Sequence, residues 1–127
     1  MAMYEYEIGG KSYPVSFGMR FLREADKTYL LEVPDLPGYK QPRGFSLLVS
    51  RLLSDDPTAL EEIILLANKA ENPRLNQGIL DDWLDNEADF EAEKERVVDF
   101  FEKSSVLKPT LHQVQQEINS ALGKTEA

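Results

Sequence analysis

Two apolar stretches in the middle of the chain constrain its fold more than any other feature. Each has the composition of a helix that is apolar nearly all round, and an Asp-Asp-Pro turn separates them. Asp55 or Asp56 can cap the second helix, and Pro57 suits its first turn. The apolar residues are Phe45, Leu47, Leu48, Val49, Leu52 and Leu53, then Leu60, Ile63, Ile64, Leu65, Leu66 and Ala67. A small domain rarely buries two such helices alone, so we expect this chain to self-associate.

The N-terminus has the alternation of a β-hairpin. Tyr4 and Tyr6 alternate with glutamates, and a second run alternates from Tyr13 to Phe17. Between the runs stand Gly9 and Gly10, which supply the positive φ values of a two-residue turn. An isolated hairpin is marginally stable, so we expect this one to pack on the helices.

The rest of the chain has mostly helical periodicity. We predict helices at 18–30, 45–54, 57–70, 76–85, 89–103 and 109–122, the first with Phe17, Phe21, Leu22, Ala25 and Tyr29 on its inner stripe. The proline- and glycine-rich stretch 31–44 is predicted to be a long loop, in which Leu36 and Tyr39 could pack on a neighbour. The fold class is mainly α (α+β), a two-stranded hairpin packed on a bundle of about five to six helices. We expect a single domain at 1–122 and a disordered tail at 123–127.

The charge is concentrated in one segment. Fourteen basic and 23 acidic residues give a net charge of −9. Between Asp81 and Glu102, ten acidic residues stand against Lys94 and Arg96, a local net of −8. Such a chain repels phosphate backbones and anionic lipid, so nucleic acid and membranes are poor candidate partners. With no cysteine and no signal-peptide pattern, we expect a cytosolic protein without disulfides or a thiolate zinc site.

Motifs of catalysis and cofactor binding are missing from the sequence. It has no P-loop, dinucleotide-binding, nucleophile-elbow or zinc-protease pattern, so we expect no enzymatic activity and no cofactor. His112 is expected to be a solvated or hydrogen-bonded histidine. Asp85, Glu87 and Asp89 have the spacing of a calcium loop, but Phe90 and Arg96 stand where that loop needs Gly and Glu. An EF-hand is therefore excluded.

Two apolar features could serve either the core or an interface. Trp83 is spaced with Ile79, Leu80 and Leu84, which favours a core position. The last helix has a narrow seam of Leu107, Leu111, Val114, Ile118 and Ala121 or Leu122. A seam of this kind docks on one partner, which can be the chain's own core or another chain.

Several local strings, in their order, resemble the tail assembly chaperones of long, noncontractile-tailed bacteriophages of Gram-positive hosts. These are the hairpin Tyr4 to Tyr13, the run Phe17 to Tyr29, Asp56-Pro57-Thr58-Ala59-Leu60, Asp82-Trp83-Leu84-Asp85, and Phe90 to Ser104 with its Phe100-Phe101 pair. The resemblance covers about residues 3 to 108. Stretch 31–44 is longer than in the family pattern, and the C-terminal seam helix departs from it.

The resemblance implies a non-enzymatic chaperone in the cytoplasm of the bacterial host. It would bind the tape measure protein, help tail tube protein to polymerise, and be absent from the virion. From the residues, we predict that Asp81, Asp82, Asp85, Glu91 and Glu95 steer a basic client, and that Val114 and Ile118 form an apolar contact. An alternative function is an acidic nucleic-acid mimic that inhibits a host DNA-binding protein, and a small enzyme is a third class.

Overall fold

The N-terminal hairpin is present as predicted. The computed structural model describes residues 2–126, and the side chains of residues 3–122. β1 (Ala2–Ile8) pairs antiparallel with β2 (Lys11–Phe17) around Gly9 and Gly10, whose φ angles are 59° and 78°. Glycine adopts such angles without steric cost. The alternation buries Tyr6 and Tyr13 and exposes Glu5 and Glu7, so one face of the hairpin lies on the helices.

Six α-helices occur in the described residues, which confirms the mainly α prediction. They are α1 (Met19–Asp26), α2 (Gly44–Leu53), α3 (Pro57–Asn68), α4 (Gln77–Asn86), α5 (Phe90–Glu102) and α6 (Lys108–Glu126). Asp56 is the N-cap of α3, and its carboxylate accepts from the Thr58 N–H at 2.9 Å. α6 continues past the predicted end at residue 122. The disordered tail at 123–127 stays a prediction, because residue 127 and the side chains of 123–126 lie outside the described residues.

The first helix is shorter than predicted. It ends at Asp26. Just beyond this end, the Thr28 hydroxyl and backbone N–H both donate hydrogen bonds to the Ala25 carbonyl, at 2.6 and 3.1 Å. The Asp26 carboxylate accepts from the Phe45 N–H at 3.1 Å, which ties this end to the start of α2. Tyr29 therefore lies outside the helix and is 42% exposed, so its predicted place on the inner stripe was wrong.

The predicted loop at 31–44 contains a second hairpin, so that prediction was wrong. β3 (Leu30–Glu32) pairs antiparallel with β4 (Lys40–Pro42), and the Val33 N–H donates to the Tyr39 carbonyl at 3.1 Å. Prolines and glycines end helices, but here most of them lie in the turn between the strands, where they permit an antiparallel pair. Gly38 takes a φ of 82° in that turn.

The core surrounds the two apolar helices. α3 packs on β2, α1, α2, α4 and α5, while α6 packs on α2 and α5. Phe17 contacts the rings of Phe21, Phe100 and Phe101 at centroid distances of 5.0 to 5.7 Å. The inner residues of α2 and α3 are at most 2% exposed, whereas Leu47 is 40% exposed. The chain itself therefore covers most of the apolar surface from which self-association was predicted.

Candidate functional site

The acidic segment, residues 81–102, consists of the second half of α4, a short turn and α5. Helix caps fix its two helices: Asn76 accepts from the Ile79 N–H at 2.9 Å, and Asp89 accepts from the Glu91 N–H at 3.2 Å. The five predicted acids are all exposed, namely Asp81, Asp82 and Asp85 on α4 and Glu91 and Glu95 on α5. The fold thus presents them to solvent on two consecutive helices.

The two basic residues of the acidic segment make their shortest polar contacts outside it, and Arg96 also pairs with Glu93 inside it at 3.8 Å. Lys94 Nζ forms an ion pair with Asp55 in the α2–α3 turn at 2.6 Å. Arg96 donates to the Glu5 carbonyl at 2.7 Å, and its guanidinium lies 4.3 Å from the centre of the Tyr6 ring. Among the described side chains, none of the five predicted acids has a basic group at ion-pair distance. The negative charge of these acids therefore remains available to an external cation.

A third helix adds a carboxyl group to this surface. Glu61 on α3 is half-buried beside α4. Its burial, a hydrogen bond with Asp81 and the charges of Asp81 and Asp85 raise its pKa from 4.5 to about 7. Near neutral pH, Glu61 therefore holds a proton for part of the time. Sequence reasoning missed Glu61, because its distance from Asp81 along the chain hides their proximity in the fold.

The C-terminal seam divides into a buried and an open half. Leu107, Leu111 and Val114 are at most 5% exposed and belong to the core of this chain. Ile118 is half-buried and lines a cleft of about 460 Å³ with Leu53. One helical turn further on, Leu122 is 56% exposed. Of the two predicted contact residues, Val114 is thus enclosed and Ile118 remains within reach of a partner.

A further apolar area surrounds β3 and β4, and we call it the hairpin surface. It comprises the exposed residues Tyr29, Leu30, Leu31, Leu36, Tyr39 and Leu47. Leu47 lies between two clefts of about 410 and 390 Å³, the first lined by Leu65 and Leu66 and the second by Tyr29 and Leu31. Leu36 and Tyr39 were predicted as candidates for contact with a neighbour. The exposure of Leu47 was not predicted, because the sequence does not distinguish it from the other apolar residues of α2.

Two other residues singled out in the sequence, Trp83 and His112, have partners within this protein. Trp83 is 7% exposed and meets the Tyr6 ring edge-on at 5.6 Å, which confirms its core position. His112 Nε2 lies 2.7 and 2.8 Å from the two carboxylate oxygens of Glu102 at the protein surface. In residues 2–126, no group of three or more His, Asp or Glu side chains is arranged to hold a metal ion. Nor does any described helix combine the length and apolar character that crossing a bilayer requires.

Comparison with known protein families places most of the chain in one of them. A family model described as phage tail assembly chaperone protein, TAC, matches residues 5–116, which include most of the first hairpin, all of the second, the acidic segment and the buried half of the seam. No curated protein and no solved structure matches the chain.

Proposed function

This chain belongs to the phage tail assembly chaperone family, and from that premise we propose that it binds the tape measure protein and promotes polymerisation of tail tube protein around it. It acts without enzymatic chemistry in the host cytoplasm, associates with further copies of itself, and is absent from the finished virion. The family assignment favours this function over inhibition of a host DNA-binding protein.

The observation that carries the proposal for client binding is the set of five exposed acids in the acidic segment that have no basic group at ion-pair distance among the described side chains. These acids are Asp81, Asp82, Asp85, Glu91 and Glu95, while Lys94 and Arg96 bind other groups, namely Asp55, the Glu5 carbonyl and Glu93. Exposed charges of one sign attract an oppositely charged segment and accelerate its association. Contacts at such a surface are weak and exchangeable, which suits a chaperone that must release its client.

The open half of the seam, Ile118 and Leu122, makes the apolar contact with the client. Ile118 and its neighbour Leu53 line a shallow cleft, and Leu122 extends the apolar stripe beyond it. An amphipathic helix binds such a stripe through residues spaced three and four apart. The host type of the phage stays a prediction from the resemblance.

The test of the acidic segment is binding of purified tape measure segments to a variant neutralised at five positions. The variant carries Asp81→Asn, Asp82→Asn, Asp85→Asn, Glu91→Gln and Glu95→Gln. We expect it to fold normally, because exposed substitutions of this kind change stability by about 0.5 kcal/mol or less each. Its association rate with the client should fall about tenfold, and the rate should lose most of its dependence on salt.

A matched control separates local charge from net charge. Neutralising the exposed acids Glu5, Glu7, Glu32, Asp35 and Glu117 changes the net charge by the same amount and should leave association with the client close to the parent rate. Capture from an infected lysate distinguishes the two functions, since a mimic would retain a DNA-binding protein instead of tail proteins. Client binding that is insensitive both to salt and to the five substitutions would overturn the role of the acidic segment.

A further inference from the structure

The first hairpin leaves the outer edge of β1 open. The residues that flank its two-residue turn, Ile8 and Lys11, exchange both backbone hydrogen bonds, and such pairs then alternate along the ladder. The N–H and C=O groups of Met3, Glu5 and Glu7 therefore point away from β2. Within the described residues, β1 has no other strand beside it, and of these outward groups only the Glu5 carbonyl has a hydrogen-bond partner.

The opposite edge of the sheet, on β2, is covered by the rest of the fold. Pro14 has no N–H, and its carbonyl accepts from the Asn68 side chain at 2.8 Å. Ser16 is 7% exposed, and α3 packs along this strand. Both side-chain donors, Asn68 and Arg96, bind carbonyls that the register turns outward. The sheet can therefore be extended beside β1 but not beside β2.

One side chain occupies part of the open edge. Arg96 donates to the Glu5 carbonyl at 2.7 Å, and its guanidinium lies against the Tyr6 ring, on the helix side of the sheet. A second acceptor is close by, since the buried Glu93 Oε2 lies 3.8 Å from Arg96 Nη1 and has no hydrogen-bond partner in the part of the chain that the structure describes. A movement of about 1 Å would form that bond. Arg96 can thus release the Glu5 carbonyl and keep a partner of its own.

The side chains of β1 determine what can pair with this edge. Glu5 and Glu7 are exposed on its outer face, and neither has a cation at ion-pair distance among the described side chains. Opposite charges that face each other across neighbouring strands stabilise a sheet, whereas like charges destabilise it. Two β1 strands from separate copies would bring glutamates together, which disfavours a second copy. We propose that β1 pairs with an extended segment of a partner protein that carries Lys or Arg at every second position.

Strand pairing assigns a role to each residue of that segment. In an antiparallel pair, the residue opposite Glu5 exchanges both hydrogen bonds with it and points its side chain to the same face. The basic residues therefore supply the N–H groups that face β1 and also meet the glutamates. The main-chain bonds provide affinity, and the alternate side chains provide specificity. This contact goes beyond the proposed function, because it uses neither the acidic segment nor the seam.

The test is binding of a short synthetic peptide, in which lysine and valine alternate, to the full-length protein. Calorimetry should show at least about tenfold tighter binding than for the same peptide with glutamate in place of lysine. N-methylation of a central lysine removes an N–H that faces β1 and should weaken binding about tenfold. N-methylation of a central valine removes an N–H that faces away and should have a much smaller effect.

The cross-strand neighbours Glu7 and Ser12 provide matched protein variants. Glu7→Pro removes an N–H from the open edge, whereas Ser12→Pro removes one from the opposite edge. Neither N–H belongs to the ladder between β1 and β2, so proline is tolerated at both positions, as it is at Pro14. We expect only Glu7→Pro to weaken peptide binding by about tenfold or more. Glu7→Gln measures the part of that loss that comes from charge.

Hydrogen exchange of the parent protein tests the same contact without any substitution. The outward amides of Glu5 and Glu7 should exchange faster than the paired amides of Tyr4 and Tyr6. The lysine peptide should slow the exchange of the outward amides. This measurement remains decisive if Glu7→Pro does not fold.

Three results would overturn the proposal: lysine and glutamate peptides that bind alike, N-methylated peptides that bind alike, or outward amides that the lysine peptide does not protect. A parent dimer that Glu7→Pro abolishes and Ser12→Pro retains would also overturn it, because a second copy would then occupy the edge. None of these measurements contains a client, so their failure would leave the proposed chaperone function standing.

Discussion

At the scale of single residues, Asn68 joins three parts of the fold. It lies at the end of α3, is 0% exposed, and donates to the carbonyls of Pro14 at 2.8 Å and Pro73 at 3.1 Å. Its Oδ1 accepts from the buried Leu75 N–H at 2.6 Å. The sequence did not single it out, because these partners lie on β2 and in the connection to α4, and no local pattern links them.

Asn68→Ala should lower the free energy of unfolding by about 3 kcal/mol, since it leaves several backbone groups without partners in the interior. Urea denaturation measures this loss. Asn76→Ala is the control, because it removes only an exposed helix cap and should cost about 1 kcal/mol. If the two substitutions cost the same, Asn68 has no special role in holding these parts together.

At the scale of secondary-structure elements, local periodicity predicted the six helices and the first hairpin. Helix caps and apolar stripes are encoded within a few residues, as at Asp56 and Pro57. The β3–β4 hairpin was missed because its strands have three residues each, too few for an alternating pattern to emerge. The five acids predicted to steer a client are exposed in the structure, and their role in client binding stays a prediction. The sequence could not show that Lys94 and Arg96 make their shortest contacts outside the segment.

The two halves of the seam on α6 should respond differently to the same substitution. Val114→Asp places a charge in the core and should lower the free energy of unfolding by about 3 kcal/mol or more, which thermal unfolding measures. Ile118→Asp lies at the edge of an open cleft and should cost about 1 kcal/mol while weakening client binding or self-association. A folded Ile118→Asp protein with parental binding in both assays would remove the seam from the interaction surfaces.

At the scale of the whole molecule, two carboxyl groups give the stability opposite dependences on pH. Hydrogen bonds from Thr58 and Arg51 lower the pKa of Asp56 from 3.8 to about 2, so its contribution is present above pH 4 and is lost as the pH falls towards 2. Burial and the neighbouring Asp81 raise the pKa of Glu61 from 4.5 to about 7. The folded protein then holds a proton that the unfolded chain has released, so stability falls as the pH rises from 4.5 to 7.

Glu61→Gln should remove the second of these dependences, because glutamine stays neutral beside Asp81 at every pH. Near pH 8 the variant should unfold about 4 °C above the parent, a gain of about 1 kcal/mol after allowance for solvent screening. At pH 4.5 the two proteins should unfold within about 1 °C of each other, since both then carry an uncharged group at this position.

Glu7→Gln, an exposed change on β1 with the same effect on net charge, should show no such pH-dependent gain. Thermal unfolding curves of all three proteins between pH 4.5 and 8 make the comparison. A Glu61→Gln gain that is constant across this range would show that the α3–α4 contact does not hold the proton, and that the substitution acts through packing or net charge instead.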